Sequence, residues 1–338
     1  MLALAALPIL GGTAQAAVPC SGDPSAVQTL NITVSGTPTY GFYALPAGPP
    51  KGIVVVGHGY PQTAASVAPM LPGIAQRDGV IALAMDYHGT VDVTPTTSRG
   101  WRVTEGAEDS IAAAKLFEGT CGPLGPITAY GISMGGNMTG LAVASHATRA
   151  NGQPLFDYWF DVAGVTNPIE TYLDATAISQ APLGSIQQTG INGKADIEQE
   201  FGNPILNLGN YTAGSPIFRA SDMKSSGLKG VVIAHGVLDG EVTSDQSAQM
   251  LAMLLLNGIP TDISAVVTKP PGTPSGLTLD GDVLGLIPGY ESPFAGHVNQ
   301  LVQNTALAKL DALYQQGQAP TGNHATIVDG NAGSFPLL

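Results

Sequence analysis

Charge is what this sequence has least of. Only 11% of its 338 residues are Asp, Glu, Lys or Arg, against about a quarter in an ordinary soluble domain. Basic residues are the scarcer kind: 12 Lys and Arg face 25 Asp and Glu, a formal net charge of −13. Such a chain lacks the Lys/Arg stripes that nucleic-acid phosphates require and the polybasic patch that holds a protein on anionic lipid. Cysteine is nearly absent as well. Two residues, Cys20 and Cys121, are too few for a disulfide lattice or a cysteine-built metal centre. No apolar run approaches the ~20 residues of a membrane span, so no membrane insertion is expected. There is no internal repeat and no long charge run. What remains is apolar: 44% of the chain is hydrophobic, which is not the composition of a disordered segment. The length suffices for one large α/β domain or two ordinary ones, with a core that needs no metal to hold it. Gly 44 and Pro 26 amount to about a fifth of the chain, a sign of many turns rather than of low complexity.

The apolar stretch Leu2 to Leu10 ends at Gly11-Gly12-Thr13 and is followed by Ala14-Gln15-Ala16. This has the h-region and A-x-A form of a secretory signal peptide over 1–16, leaving 17–338 as the mature chain. The basic n-region is missing, consistent with a truncated or misassigned start. A lipoprotein reading through Cys20 fits poorly with Ala17-Val18-Pro19 before it. Secretion, to the periplasm or the exterior, makes exposed free thiols a liability, so Cys20 and Cys121 are expected to bond to each other. Two unrelated free thiols are the alternative.

Residues 28–45 alternate apolar and polar and turn at Ser35-Gly36-Thr37-Pro38, a hairpin pattern. Gly52 to Gly57, Val80 to Met85, Ile127 to Tyr130, Leu155 to Val162 and Gly230 to Ala234 read as buried strands, with Thr261 to Val267 as the last. Helical stretches fall near 63–77, 103–118, 134–149, 243–257 and 297–315. Strand and helix in alternation predict a mostly parallel sheet covered on both faces. Residues 166–226, rich in Asn, Gln, Ser and Gly, are too long for a plain loop and read as an inserted cap or lid. Residues 268–294 form a second excursion. Its Asp280-Gly281-Asp282 lacks EF-hand spacing and reads as surface loop.

Chemistry concentrates at strand ends. Gly131-Ile132-Ser133-Met134-Gly135 is a G-x-S-x-G between a predicted strand and a predicted helix. A sharp turn there exposes the serine hydroxyl, and the crowding leaves the glycines no room for a Cβ. His58-Gly59-Tyr60-Pro61 ends another strand. Acyl transfer needs two amides aimed at the developing oxyanion; those of Met134 and Tyr60 are the candidates, since Pro61 has none. His235-Gly236-Val237-Leu238-Asp239 ends a third strand, where a carboxylate can orient an imidazole; Asp161 is the competing acid. Six histidines are present: His58, His88, His146, His235, His297 and His324. The chain order Ser, Asp, His leaves His297 and His324. His297, beside Gly296 and directly before the last helical stretch, is preferred; His324 lies in a Gly/Asn-rich tail, and His146 falls mid-helix.

Together these features resemble the α/β-hydrolase fold family, over nearly the whole mature chain from His58-Gly59 to the helix after His297. The elbow, the strand-end His-Gly and the His235-Gly-x-x-Asp239-x-x-Val242 stretch are similar to its prolyl-oligopeptidase-like and esterase/cutinase-like branches, and the Gly59-Tyr60 turn with Ser133-Met-Gly-Gly to secreted polyester hydrolases. The resemblance implies Ser133 as nucleophile, Asp239 as acid and His297 as base. The 166–226 insertion departs from compact cutinases, and the chain shows no N-terminal propeller of the full oligopeptidases. The expectation is a secreted serine esterase acting on a small-molecule or polymeric ester, with no cofactor, no metal and no obligate protein partner. A serine peptidase or amidase, which would need a cationic clamp such as Arg102, Arg149 or Arg219, and a hydrolase-like binding protein without turnover are the alternatives.

Overall fold

Residues 18–88, 100–122, 124–180, 185–267, 297, 299–329 and 333–336 are described by a computed structural model. The leader at 1–16, the 268–294 excursion and Asp280-Gly281-Asp282 lie outside them.

The alternating N-terminal stretch forms strands β1 (Gln28–Val34) and β2 (Thr37–Ala44), paired antiparallel. Their turn is Ser35-Gly36, with φ 50° and 84°, the left-handed pair that matches the twist of a tight hairpin. The apolar runs become β3 (Ile53–Gly57), β4 (Ile81–Met85), β5 (Ile127–Ile132), β6 (Tyr158–Val162) and β7 (Gly230–Gly236). Burial on both faces explains why these read as continuous Val/Ile/Ala runs. In β3, Ile53 and Val55 join the core under one layer of helices, and Val54 and Val56 join the core under the other. β8 (Thr261–Val267) was expected to end the sheet, but β9 (His324–Asp329) and β10 (Gly333–Pro336) extend it. The order is β1-β2-β4-β3-β5-β6-β7-β8-β9-β10, parallel from β4 to β9 and antiparallel at both ends. His324 is therefore not in a tail. It opens β9 opposite Asp262 at the start of β8, on the amino edge of the sheet. A strand that is only half-buried carries little hydrophobic signal.

Among the described residues, ten α-helices cover the sheet or extend from it. The stretch at 63–77 divides into α1 (Ala64–Val67) and α2 (Leu71–Asp78), with a 3-10 turn between them; Pro69 lacks the amide a continuous helix would use. Next come α3 (Val103–Cys121) and α4 (Met134–Val143). The latter stops short of the expected 149: Ser145 Oγ donates back to the Ala142 carbonyl, and His146 takes φ 59°. His146 thus sits in a left-handed turn, not mid-helix. Between β6 and β7 the chain runs through α5 (Pro168–Gln180), α6 (Ser185–Phe201), α7 (Leu208–Ala213) and α8 (Ala220–Ser225). Where it is described, the 166–226 segment is therefore largely helical, and Tyr172, Phe201 and Tyr211 are its buried aromatic centre. Finally α9 (Ser244–Leu256) precedes β8, and α10 (Gln300–Gln316) begins where the Asn299 side chain accepts from the Val302 amide at 2.9 Å. That cap stands two residues after His297.

Cys20 and Cys121 are bonded, joining the N-terminal segment to the end of α3 across a sequence separation of 101 residues. Closing so long a loop restricts the unfolded chain by about 4–5 kcal/mol on the chain-entropy model. The Cys20→Ser/Cys121→Ser double variant is expected to unfold several degrees lower, read by thermal denaturation. An equal midpoint would show that the bond adds nothing.

Candidate active site

Ser133 stands between the carboxyl end of β5 and the first turn of α4, with φ 56° and ψ −124°. Side chains rarely adopt this conformation, at a cost of about 1–3 kcal/mol. Its surroundings hold it there. The Ser133 amide donates to the Val162 carbonyl at 3.0 Å, and its own carbonyl accepts from Gly136 at 2.8 Å and Val165 at 3.0 Å. The glycines around it are dictated by contact. A Cβ on Gly131 would stand 2.1 Å from Thr139 Oγ1, and one on Gly135 would stand 2.3 Å from the Gly57 carbonyl oxygen.

His297, in the short stretch before α10, brings two chain-distant groups together. Its Nε2 is 2.9 Å from Ser133 Oγ, and its Nδ1 is 2.7 Å from Asp239 Oδ2. Asp239, in the turn after β7, is buried, and every part of its carboxylate is engaged. Oδ1 accepts from the Glu241 and Val242 amides at 2.9 and 3.0 Å, and Oδ2 also lies 3.2 Å from His235 Nε2. Burial alone would raise the Asp239 pKa; the His297 charge and hydrogen bonds from His235 and His297 more than reverse this and hold it well below the carboxylate range. Burial conversely disfavours a charged His297, but Asp239 and then Glu241 outweigh it and push the imidazole up to about 9.

The sign of that shift sets the pH dependence. Only a neutral Nε2 can accept the serine proton, so kcat/KM should rise with pH, through a midpoint above the ordinary histidine value of about 6.5 and toward 9. A pH–rate profile flat from 5 to 9 would exclude a histidine base.

His235 is the residue whose part was not read from the sequence. Chain order sets it aside as a base, yet besides Asp239 it meets Ser247 Oγ at 2.6 Å and the Val242 carbonyl at 2.8 Å. The carbonyl can only accept, so Nε2 carries a proton and aims it at the carboxylate as well. Its place four residues before Asp239 was the available signal. Asp161, the competing acid, lies on β6, fully buried, and neither of its oxygens meets a donor among the described residues. Burial, slightly offset by His235, pushes it up to about 7. It has no contact with His297 that would let it serve as the orienting acid.

The His58-Gly59 turn adjoins the nucleophile: a Cβ on Gly59 would stand 3.3 Å from Ser133 Cβ. Tyr60, next in the chain, donates its hydroxyl to Asp196 of α6 at 2.6 Å. Met134 opens α4, so its amide has no carbonyl partner within the helix. On the other side of the elbow, Asn137 of α4 accepts from Trp101 Nε1 at 3.2 Å and donates to the Gly214 carbonyl at 2.7 Å. The segment between β6 and β7 thus touches the elements on both sides of Ser133. His58 is buried and stacked on Tyr87, and His88 pairs with Asp109. Among the described residues no cluster of His, Cys, Asp and Glu could hold a metal, and no helix is long and apolar enough to cross a membrane.

Solved structures with the same fold include both esterases and peptidases. An esterase from the archaeon Pyrobaculum calidifontis superposes with a TM-score of 0.58 at 15% identity, covering 87% of each chain. Carboxyl esterase 2 from the mycorrhizal fungus Tuber melanosporum gives 0.56 at 14%, over 88% of this chain and 87% of that one. The acylaminoacyl peptidase of Pyrococcus horikoshii gives 0.54 at 19%, over 84% of this chain but 42% of its own. At these identities the likeness is one of fold. No curated protein matches the sequence. The family model of the prolyl oligopeptidase family, however, matches residues 74–269, more than half of the chain and inclusive of Ser133 and Asp239. With an α/β-hydrolase fold and that match, the chain is a serine hydrolase belonging to the prolyl oligopeptidase family.

Proposed function

We propose that the protein is a secreted carboxylic ester hydrolase that works through an acyl-enzyme. The carrying observation is His297 bridging Ser133 Oγ and Asp239 Oδ2 at 2.9 and 2.7 Å. In this reading Ser133 Oγ attacks the ester carbonyl as its proton passes to His297 Nε2. Asp239, itself held by His235 and two amides, fixes the imidazole and steadies its positive charge. The Met134 and Tyr60 amides receive the oxyanion, a role worth about 100- to 1000-fold per donor in comparable sites. His297 then protonates the departing alcohol. Water, activated by the same nitrogen, releases the acid and restores Ser133. The 166–226 insertion serves as a cap over this site.

Support for an ester rather than a peptide comes from the basic residues. A peptide-terminus clamp needs a free cation, but Arg149 is paired with Asp157 inside the protein, Arg102 with Glu105 and Glu200, and Arg219 with Asp222. The two esterases are also matched over most of their length, whereas the acylaminoacyl peptidase is matched over less than half. Support for secretion is the apolar leader-like stretch and the Cys20–Cys121 bond. The test is a substrate panel. p-Nitrophenyl acyl esters should be turned over and aminoacyl p-nitroanilides should not. Preference for the anilides would make this a peptidase, and absence of labelling by a fluorophosphonate would make it a non-catalytic binder.

A further inference from the structure

Glu241 stands two residues beyond Asp239, and its backbone amide helps hold that carboxylate. Its side chain turns back to the imidazole: Oε2 lies 3.3 Å from His297 Nε2, the same nitrogen that meets Ser133 Oγ. A triad does not require this second carboxylate, because Asp239 already occupies the Nδ1 side. The Glu241 side chain is 36% exposed, and among the described residues His297 is its ion-pair partner. Among the described residues the other charged group facing the ring is Asp239, from the same loop. His235, on β7, faces Asp239 rather than the imidazole, and Asp161 of β6 is sealed against Gly136 and Gly164 beneath the elbow.

Nε2 is the nitrogen that hands a proton to the leaving group, so the leaving oxygen must come within hydrogen-bond reach of it. Substituents a few bonds further along that leaving group then lie close to Glu241 Oε2. Resting on the esterase reading above, we infer that Glu241 is a specificity-determining residue that favours esters whose leaving group carries a positive charge. A unit charge at such a separation, beside a partly desolvated carboxylate, is ample for a tenfold preference. The net charge of −13 draws cations toward the protein as well. The same carboxylate opposes the resting base, since it favours keeping a proton on Nε2.

The test compares a 2-(trimethylammonio)ethyl ester with its uncharged 3,3-dimethylbutyl isostere on the full-length enzyme. Wild type should favour the cationic ester by about tenfold in kcat/KM. Glu241→Gln should bring that ratio within about twofold of unity, while the acid limb measured with the neutral ester moves to lower pH. Glu241→Asp, which keeps the charge but withdraws it, should retain part of the preference and guards against a folding defect in the first variant. A ratio unchanged in Glu241→Gln, with turnover still abolished by Ser133→Ala, overturns this inference and leaves the esterase reading intact. A wild type that turns over neither ester overturns both.

Discussion

Ser133→Ala is expected to lower ester turnover on the order of a million-fold, the scale seen when such a nucleophile is removed, while the protein stays folded. The two halves of this expectation have separate causes. The hydroxyl oxygen is the atom to be acylated, and the neighbouring Thr139 cannot replace it: its Oγ1 is buried and donates to the Gly135 carbonyl at 2.7 Å. The fold, by contrast, uses the backbone of Ser133, through its bonds to Val162, Gly136 and Val165, and alanine keeps all three. The lost contact with His297 is one hydrogen bond, worth about 1 kcal/mol, and the imidazole keeps its bond to Asp239. Circular dichroism and thermal denaturation should therefore match wild type, and fluorophosphonate labelling should vanish. Ester turnover near the wild-type rate would remove Ser133 from the mechanism.

The second large effect separates two histidines. His297→Ala should abolish ester hydrolysis down to the residual level that substrate binding and an oxyanion site supply by themselves, about 1000- to 10,000-fold over water in comparable enzymes. His324→Ala should leave activity within a few-fold of normal. A base must reach the serine hydroxyl within about 2.6–3.2 Å and be held on its other nitrogen. His297 is placed to do both. His324 opens β9 opposite Asp262, on the amino edge of the parallel strands, while Ser133 and Asp239 follow the carboxyl ends of β5 and β7. The length of the strands stands between them. The reverse result, activity lost with His324 and kept without His297, would undo this assignment.

These histidines also mark where reading a sequence stops. Periodicity and composition were enough for the central strands, because burial on both faces selects uninterrupted β-branched runs that few other structures tolerate. The hairpin at Ser35-Gly36 and the strand–turn–helix around Ser133 were legible for a similar reason: tight turns demand particular residues at particular positions. Where packing was partial, the sequence said less. β10 is a four-residue strand at the edge of the sheet, and β9 inside it is only half-buried. Between β6 and β7, the rings of Tyr172, Phe201 and Tyr211 pack on one another, and α5 shows little of the one-sided apolar stripe that marks a core-facing helix. α4 ends early because Ser145 and His146 turn the chain locally, a choice settled by the Ser226 side chain, which receives the His146 amide at 3.1 Å.

By itself, then, the sequence determined the α/β alternation, the glycine-flanked elbow and a short set of strand-end residues able to carry acyl-transfer chemistry. Those depend on neighbours in the chain, so they are written locally. Only the tertiary structure decided which histidine meets Ser133, that His235 shares in holding Asp239, and that Glu241 faces the same imidazole nitrogen as the serine. His297 and Ser133 are 164 residues apart, and His297 and Asp239 are 58 apart. Contacts at such separations exist only because parallel strands deliver their carboxyl ends to one edge of the sheet, and no local pattern of residues encodes that meeting.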